Sequence, residues 1–162
     1  MNGRVRAMSV AGIFQPLPYN RIMDAARQKF IDRARELNTS TFSVDEIQNR
    51  IDEVCSEYLI EAKVDVDRLL MHDDWRVRSS ALDIVAWGIG ATDGIETSIE
   101  ILTHDPDEDV RVDAALALYT AARGTPKKAQ VREALKRSAD ADESDYVRES
   151  ALNYLQKLND HC

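Results

Sequence analysis

The pattern Val-Arg-x-x-Ala occurs three times in this chain, each time just after an aspartate-rich stretch. The copies begin at Val77, Val110 and Val147, giving offsets of 33 residues (77 to 110) and 37 residues (110 to 147). Self-similarity at such a period is typical of stacked arrays, in which each small unit buries its apolar face against its neighbours. A chain of this kind is expected to act through a surface rather than through a reaction centre.

Composition is consistent with a single helical domain. Of the 162 residues, 44% are hydrophobic and 31% charged, with six Gly and four Pro, which disfavours disorder and a many-turned β fold. The two cysteines, Cys55 and Cys162, form no disulfide framework, so a reducing cytoplasm is the expected location. The apolar stretch at residues 10–14 is too short for a signal peptide or a membrane span.

The net charge of −8 is distributed unevenly. Residues 1–63 contain nine Lys or Arg and nine Asp or Glu, whereas residues 64–162 contain twelve and twenty. An acidic surface repels phosphate backbones and attracts basic proteins. It also keeps a small protein soluble, and the sequence leaves both interpretations open.

Three regions are predicted within one compact domain: an N-terminal arm at 1–18, a helical hairpin cap at 19–63 and three repeats at 64–162. The first helix of the hairpin, from Tyr19 to Leu37, has one apolar face, formed by Met23, Ala26, Phe30, Ala34 and Leu37. Its other face is rich in arginine, with Arg21, Arg27, Lys29, Arg33 and Arg35. Ser43 and Glu46 form a capping box that starts the second helix. The buried stripe of that second helix is predicted at Ile47, Ile51, Val54, Tyr58 and Ala62.

Each repeat is predicted to contain a short first helix (helix A), an acidic turn and a second helix (helix B). Four turn aspartates, Asp73, Asp74, Asp107 and Asp109, are suited to cap helix B, and Thr125 is predicted to cap the third helix A before Pro126. We number helix B from the Val of the repeated motif, which is position 0. Positions 0, 4, 7, 8 and 11 form the packing stripe: Val77, Ala81, Ile84, Val85, Gly88; Val110, Ala114, Ala117, Leu118, Ala121; Val147, Ala151, Tyr154, Leu155, Leu158. The Arg at position 1 is placed to reach a turn carboxylate of an adjacent repeat.

These residues resemble HEAT-like repeats, including the short bacterial type found in phycobilin-lyase-type proteins. The resemblance covers about residues 65–158 and rests on the leucine-rich helix A, the aspartate-rich turn and the Val-Arg-x-x-Ala motif. It implies an all-α fold, a short right-handed α-solenoid of antiparallel helix pairs. The family resemblance further implies a scaffold or binding surface, and no catalytic residue of a bilin lyase can be placed on this sequence.

No arrangement of residues predicts catalysis, a cofactor or a metal site. His72 and His104 are interpreted as equivalent residues at the ends of helix A, where an imidazolium favours the negative helix terminus. Asp105, Asp107 and Asp109 have the alternate spacing of calcium ligands but lack the following glycine, so helix capping is the prediction. The glycine-rich segment 88–94 lacks the Lys-Ser/Thr of a phosphate loop and is interpreted as a repeat boundary.

The candidate site is the face of helix B opposite its packing stripe, at positions 2, 5, 6 and 9. In the middle repeat this face is also apolar, so something is expected to cover it, either the arm carrying Ile13, Phe14 and Leu17 or a partner. The predicted partner-binding residues are Trp75, Ser79, Asp83, Val112, Leu116, Tyr119, Glu149, Asn153 and Gln156.

The function predicted from these features is non-enzymatic binding of another protein, a basic one, through the inner face of the B helices. An inhibitor or immunity-type protein is the sharper version. One alternative is an accessory bilin-lyase-like subunit. Another is nucleic-acid binding through the arginine-rich first helix, for which affinity would fall steeply as salt rises. The partner's identity and the oligomeric state stay open.

Overall fold

A computed structural model of the protein describes residues 18–54, 56–87, 94–123 and 125–160. Within these ranges all regular secondary structure is helical: there are nine α-helices, one 3-10 helix at Glu36–Asn38 and no strand. The α-helices are α1 Pro18–Arg35, α2 Val44–Glu53, α3 Ser56–Glu61, α4 Val66–Leu70, α5 Trp75–Trp87, α6 Ile95–His104, α7 Glu108–Ala121, α8 Lys128–Ala141 and α9 Asp145–Asp160. None of them is long and apolar enough to cross a bilayer. The predicted all-α solenoid is confirmed.

The helices stack in two layers. In one layer α2, α5, α7 and α9 pack side by side, each against the next. In the other layer α4, α6 and α8 follow one another, and each also packs against the B helix of its own repeat, α5, α7 or α9. The layer of B helices therefore has its back against the A helices and its front open.

The packing stripe of the B helices forms the centre of the core. Positions 0 and 4 have an exposed fraction of 0% in all three repeats, at Val77 and Ala81, Val110 and Ala114, and Val147 and Ala151. Small side chains at position 4 allow neighbouring helices to approach closely. Tyr154 and Leu155 of α9 are only partly buried. The predicted stripe residue Gly88 lies outside the described residues, as do the two cysteines.

Gly94 shows why a glycine stands at the start of α6. Its φ is +79°, in the left-handed region that favours glycine. A Cβ at this position would approach Val85 Cγ2 to 2.8 Å and Leu70 Cδ1 to 3.2 Å. A larger residue would therefore be strained and would also collide with the core of the preceding repeat.

The N-terminal hairpin differs from the prediction in two ways. The second helix is interrupted, because Val54 has an extended backbone (φ −106°, ψ 124°) that ends α2, and α3 begins at Ser56. The buried face of α1 is formed by Ile31 and Ala34 and continues to Leu37 of the 3-10 helix.

Met23, Ala26 and Phe30, predicted on the buried face of α1, are exposed. Phe30 stacks on Tyr58 of α3 at 6.0 Å between ring centroids. The physical reason is that, among the described helices, α1 packs mainly against α3 and less against α2, which leaves this part of its surface uncovered by them. The predicted arm ends one residue earlier than expected, since α1 begins at Pro18, and residues 1–17 lie outside the described residues.

Helix capping follows the sequence in part: of the four turn aspartates predicted as caps, Asp74 and Asp107 act as caps, whereas Asp109 lies inside α7, in its first turn, and no bond to a helix N–H is seen for the Asp73 side chain. The Ser43–Glu46 capping box is present, and Asp74 and Asp107 accept hydrogen bonds from backbone N–H groups at the start of α5 and α7. Thr125 is not a cap, because α8 begins only at Lys128 and the Thr125 hydroxyl donates to the Ala122 carbonyl instead, at 3.4 Å. The Thr-Pro sequence thus helps to end α7 rather than to start α8.

Candidate protein-binding face

An arginine ladder joins successive repeats along one edge of the stack. The Arg78 guanidinium donates to both carboxylate oxygens of Asp105 in the next repeat, at 2.7 and 2.8 Å. Arg111 binds Asp142 in the same way, with both bonds at 3.1 Å, and the two side chains are only 5% and 6% exposed. The predicted role of the position 1 arginine is therefore confirmed in the two repeats that have a following neighbour.

The same arginines also hold the turn of their own repeat. Arg78 Nη1 donates to the His72 carbonyl at 2.9 Å, Arg111 Nη1 to the Asp105 carbonyl at 2.7 Å, and Arg148 Nη1 to the Asp142 carbonyl at 2.5 Å. In each case the acceptor lies six residues before the arginine. The ladder therefore fixes both the turn and the register between repeats.

The ladder corrects the interpretation of the histidines. Asp105 and Asp142 each accept the N–H two residues further on, and in the first repeat His72 Nδ1 does the same for the Asp74 N–H, at 3.0 Å. His72 is thus the counterpart of Asp105 rather than of His104. His104 is exposed and lies 3.7 Å from Glu100 one turn earlier in α6.

The acidic turns are occupied by hydrogen bonds within the protein. Asp105 is bound by Arg78, and Asp107 accepts from the Asp109 and Val110 N–H groups. Among the described residues no group of His, Cys, Asp or Glu side chains has an arrangement that could hold a metal ion.

The predicted inner face divides into two surfaces. Positions 2 and 6 point to the open front of the layer, where Asp83 is exposed and Leu116 is 42% exposed. Positions 5 and 9 point toward the next repeat, so Leu82, Ala115 and Tyr119 are buried there. The expectation that all four positions share one accessible face was therefore wrong.

Tyr119 is the predicted site residue most affected by this division. It is 8% exposed and stacks on Tyr154 of α9 at 5.4 Å between centroids, with the Arg123 guanidinium over its ring. In the middle repeat α9, the next B helix of the array, covers this side of α7. Leu116 stays uncovered by any described residue.

The remaining predicted residues are accessible to different degrees. Trp75, at the first position of α5, is exposed, and Ser79 and Val112 at position 2 are half-buried. In α9, Glu149, Asn153 and Gln156 are exposed together with Leu152.

Two carboxylates give the open front its charge. Asp113, at position 3 of α7, accepts a hydrogen bond from the Ser79 hydroxyl at 2.6 Å, which links α5 to α7 across the face. Partial burial raises the pKa of Asp113 against the lowering effect of the Ser79 bond, and Asp109 and Asp107 add to the rise. Burial likewise raises the pKa of Asp83, and the like charges of Asp113 and Asp52 raise it further.

Neither Asp83 nor Asp113 has an ion-pair partner among the described residues. Asp83 remains open to solvent by surface area, yet enough protein surrounds it to weaken its hydration. Like charges that crowd without a counter-ion favour the approach of an external cation.

Sequence reasoning did not select Asp113, Asp52 or Trp87 for this face. For Asp113 the signal was available, because position 3 lies only about 60° from position 6 on a helical wheel of 100° per residue. Asp52 and Trp87 belong to the contact between the cap and the first repeat, where no repeated motif marks the register.

Three of the five basic residues on the arginine-rich face of α1 pair with carboxylates of the protein. Arg27 pairs with Glu61 at 2.6 Å, Arg35 with Asp32 at 3.1 Å, and Arg33 with Glu53. A nucleic acid would have to compete with these carboxylates.

The comparison with known protein families agrees with this architecture. The family model described as HEAT repeats matches residues 66–156, from the start of α4 into α9. No curated protein and no solved structure matches the chain. HEAT repeats commonly serve as protein-interaction modules, and the match spans more than half of the sequence: the chain belongs to the HEAT repeat family.

Proposed function

We propose that this protein binds a basic partner protein through the open front of its B helices. The observation that carries the proposal is the exposed Leu116, which lies one turn from Asp113 and faces the same side as Asp83. An apolar centre beside two carboxylates with no ion-pair partner among the described residues is complementary to a basic surface with an apolar contact.

The charge balance of the repeat half supports the same partner. The buried ladder pairs Arg78 with Asp105 and Arg111 with Asp142, so these four charges contribute nothing to the surface. Residues 64–162 then retain eighteen acidic and ten basic side chains outside the ladder. An acidic field of this kind accelerates encounter with basic proteins and repels nucleic acid.

A masking role is the sharper form of the proposal, in which the protein acts as an inhibitor or immunity-type protein for a basic toxin or enzyme. Its support is the combination of small size, acidity and a binding face without catalytic groups. The bilin-lyase alternative gains no support from any described side chain. Nucleic-acid binding through α1 is disfavoured by the internal pairing of its arginines.

The proposal is tested by site-specific crosslinking in the native host. A photoreactive amino acid replaces Leu116, and the crosslinked product is identified by mass spectrometry. We expect one basic protein, crosslinked in stoichiometric yield. Introducing Asp113→Lys should abolish the crosslink, while Glu133→Lys, an equal charge change on the exposed side of α8, should leave it intact.

Two results would contradict the proposal. Either the crosslinked protein is acidic, or Asp113→Lys and Glu133→Lys reduce the yield equally. The second result would mean that net charge, rather than this face, controls association.

A further inference from the structure

A small cavity opens on the front of the stack between the cap and the first repeat. It has a volume of about 300 Å³ and lies where α2 and α3 meet α5. Its lining residues are Ile51, Asp52, Val54, Leu59, Asp83, Ile84 and Trp87. This volume is at the lower end of the range for ligand pockets, so it suits one long side chain better than a whole small molecule.

Buried apolar residues back the cavity but contribute little accessible surface, and its accessible lining is mainly polar and includes two carboxylates. Ile51, Val54 and Leu59 are buried core residues. Asp52 and Asp83 stand on different helices, and neither has an ion-pair partner among the described residues. A ligand that fits is therefore expected to carry a positively charged end that donates hydrogen bonds to these carboxylates.

The third element of the cavity is an exposed indole. Trp87 ends α5 and is 65% exposed, which is unusual for the largest apolar side chain. An indole face attracts cations, and a guanidinium stacks on it better than an ammonium does because it is planar and weakly hydrated. Two carboxylates and an indole around one cavity thus favour arginine over lysine.

From this geometry we infer that the cavity is a subsite for a single arginine side chain of the partner protein. The guanidinium donates to Asp52 and Asp83 and stacks on Trp87. This inference rests on the proposed function, because it names the anchor by which the basic partner is held.

The test uses hexa-arginine peptide as the probe and the fluorescence of Trp87 as the signal. The chain has two tryptophans, so Trp75→Phe leaves Trp87 as the sole indole. In this background we expect a saturable change of emission with hexa-arginine at low ionic strength. Hexa-lysine, with the same charge, should bind at least threefold more weakly.

Matched variants separate the subsite from general electrostatics. Asp83→Asn and Asp52→Asn each remove one charge inside the cavity, and Glu133→Gln removes one charge on the exposed side of α8. We expect at least fivefold weaker binding of hexa-arginine for each cavity variant and less than a twofold change for Glu133→Gln. Circular dichroism of all three variants checks that the helices are retained.

The inference is overturned if Trp87 emission does not respond, if hexa-lysine binds equally well, or if all three charge variants weaken binding alike. These failures are distinguishable from a failure of the proposed function. A basic partner crosslinked at Leu116 together with an unresponsive Trp87 would retain the binding face and reject the subsite. If Trp87 emission responds to hexa-arginine but no basic protein is crosslinked at Leu116, the arginine site is retained and the Leu116 face is rejected.

Discussion

The arginine ladder makes the most demanding prediction for stability. Replacing Arg111 with Ala removes a guanidinium that is 5% exposed and leaves the Asp142 carboxylate, 6% exposed, without its counter-ion. We expect the free energy of unfolding to fall by about 3–5 kcal/mol, the usual cost of breaking a buried ion pair from one side. This is a large part of the total stability of about 5–15 kcal/mol typical of a domain.

The magnitude follows from the contacts that are lost. Arg111 donates two bonds to Asp142 at 3.1 Å and one to the Asp105 carbonyl at 2.7 Å. Hydrogen bonds to charged groups contribute about 1.5–3 kcal/mol each to stability, and a buried acceptor left without a donor costs about 1–3 kcal/mol more. After Arg111→Ala, Asp142 retains the Ser144 N–H, at 2.9 Å, as a donor. Adding these contributions would give a loss larger than the expected value of about 3–5 kcal/mol. The expected loss is smaller than the sum because the structure relaxes around the mutated site.

Urea denaturation followed by circular dichroism provides the measurement, with Arg35→Ala as the control. Arg35 pairs with Asp32 at 3.1 Å, but both side chains are more than half exposed, so its loss should cost only about 0–1 kcal/mol. Combining Arg111→Ala with Asp142→Ala should be less damaging than the sum of the single changes, by a coupling of about 0.5–3 kcal/mol. A loss below about 1 kcal/mol for Arg111→Ala, or no coupling, would refute the ladder as the element that joins the repeats.

Three other changes test the packing and the charge of the B helices. Ala114→Leu should overpack the core and lower stability by about 1–3 kcal/mol in thermal unfolding; an unchanged midpoint would place this residue outside the core. Tyr119→Ala should lower the free energy of unfolding by about 3–5 kcal/mol, because it truncates a core side chain, whereas Leu116→Glu should change it by less than about 0.5 kcal/mol. Equal losses in urea denaturation would contradict the division between positions 5 and 9, which face the next repeat, and positions 2 and 6, which face the front. Asp83→Asn should stabilise the protein at pH 7, because the raised pKa means that folding disfavours the ionised carboxyl. That advantage should shrink as the pH falls through the raised pKa of folded Asp83 and be gone below the ordinary value of 3.8, where the carboxyl is protonated in both the folded and the unfolded state; an advantage that persists there would have another cause.

The repeated motif predicted the fold well because each repeat must bury the same helix B position between the two layers of helices. Val77, Val110 and Val147 occupy the same place between two layers, so a single register assigns the core of all three repeats. The arginine that follows each valine has the same task, and its partner could be inferred from the aspartate-rich turns. The cap was predicted less well, since its helices occur once and meet neighbours on one side only.

The candidate face was predicted only in part, because a helical wheel shows which residues point away from the stripe but not which neighbour they meet. In a stack a B helix packs against the B helices of the neighbouring repeats, and this side-by-side packing buries Tyr119 and Ala115. The offset between neighbouring helices decides how far the contact extends around the helix. That offset depends on turn lengths, such as the start of α8 at Lys128 rather than at Pro126, which a single sequence did not reveal.

Adjacent residues of α5 show how the stack and the candidate face are made from the same contact. Arg78 reaches Asp105 along the buried edge, and the next residue, Ser79, reaches Asp113 on the open front. The Arg78–Asp105 ion pair fixes the spacing of α5 and α7. At that spacing the Ser79 hydroxyl, a neutral donor, holds the Asp113 carboxylate in place. A neutral donor leaves the negative charge of Asp113 uncompensated, whereas an arginine in place of Ser79 would cancel it. The protein thus neutralises Asp105 and Asp142 with buried arginines, whereas Asp113 keeps its negative charge beside a neutral donor.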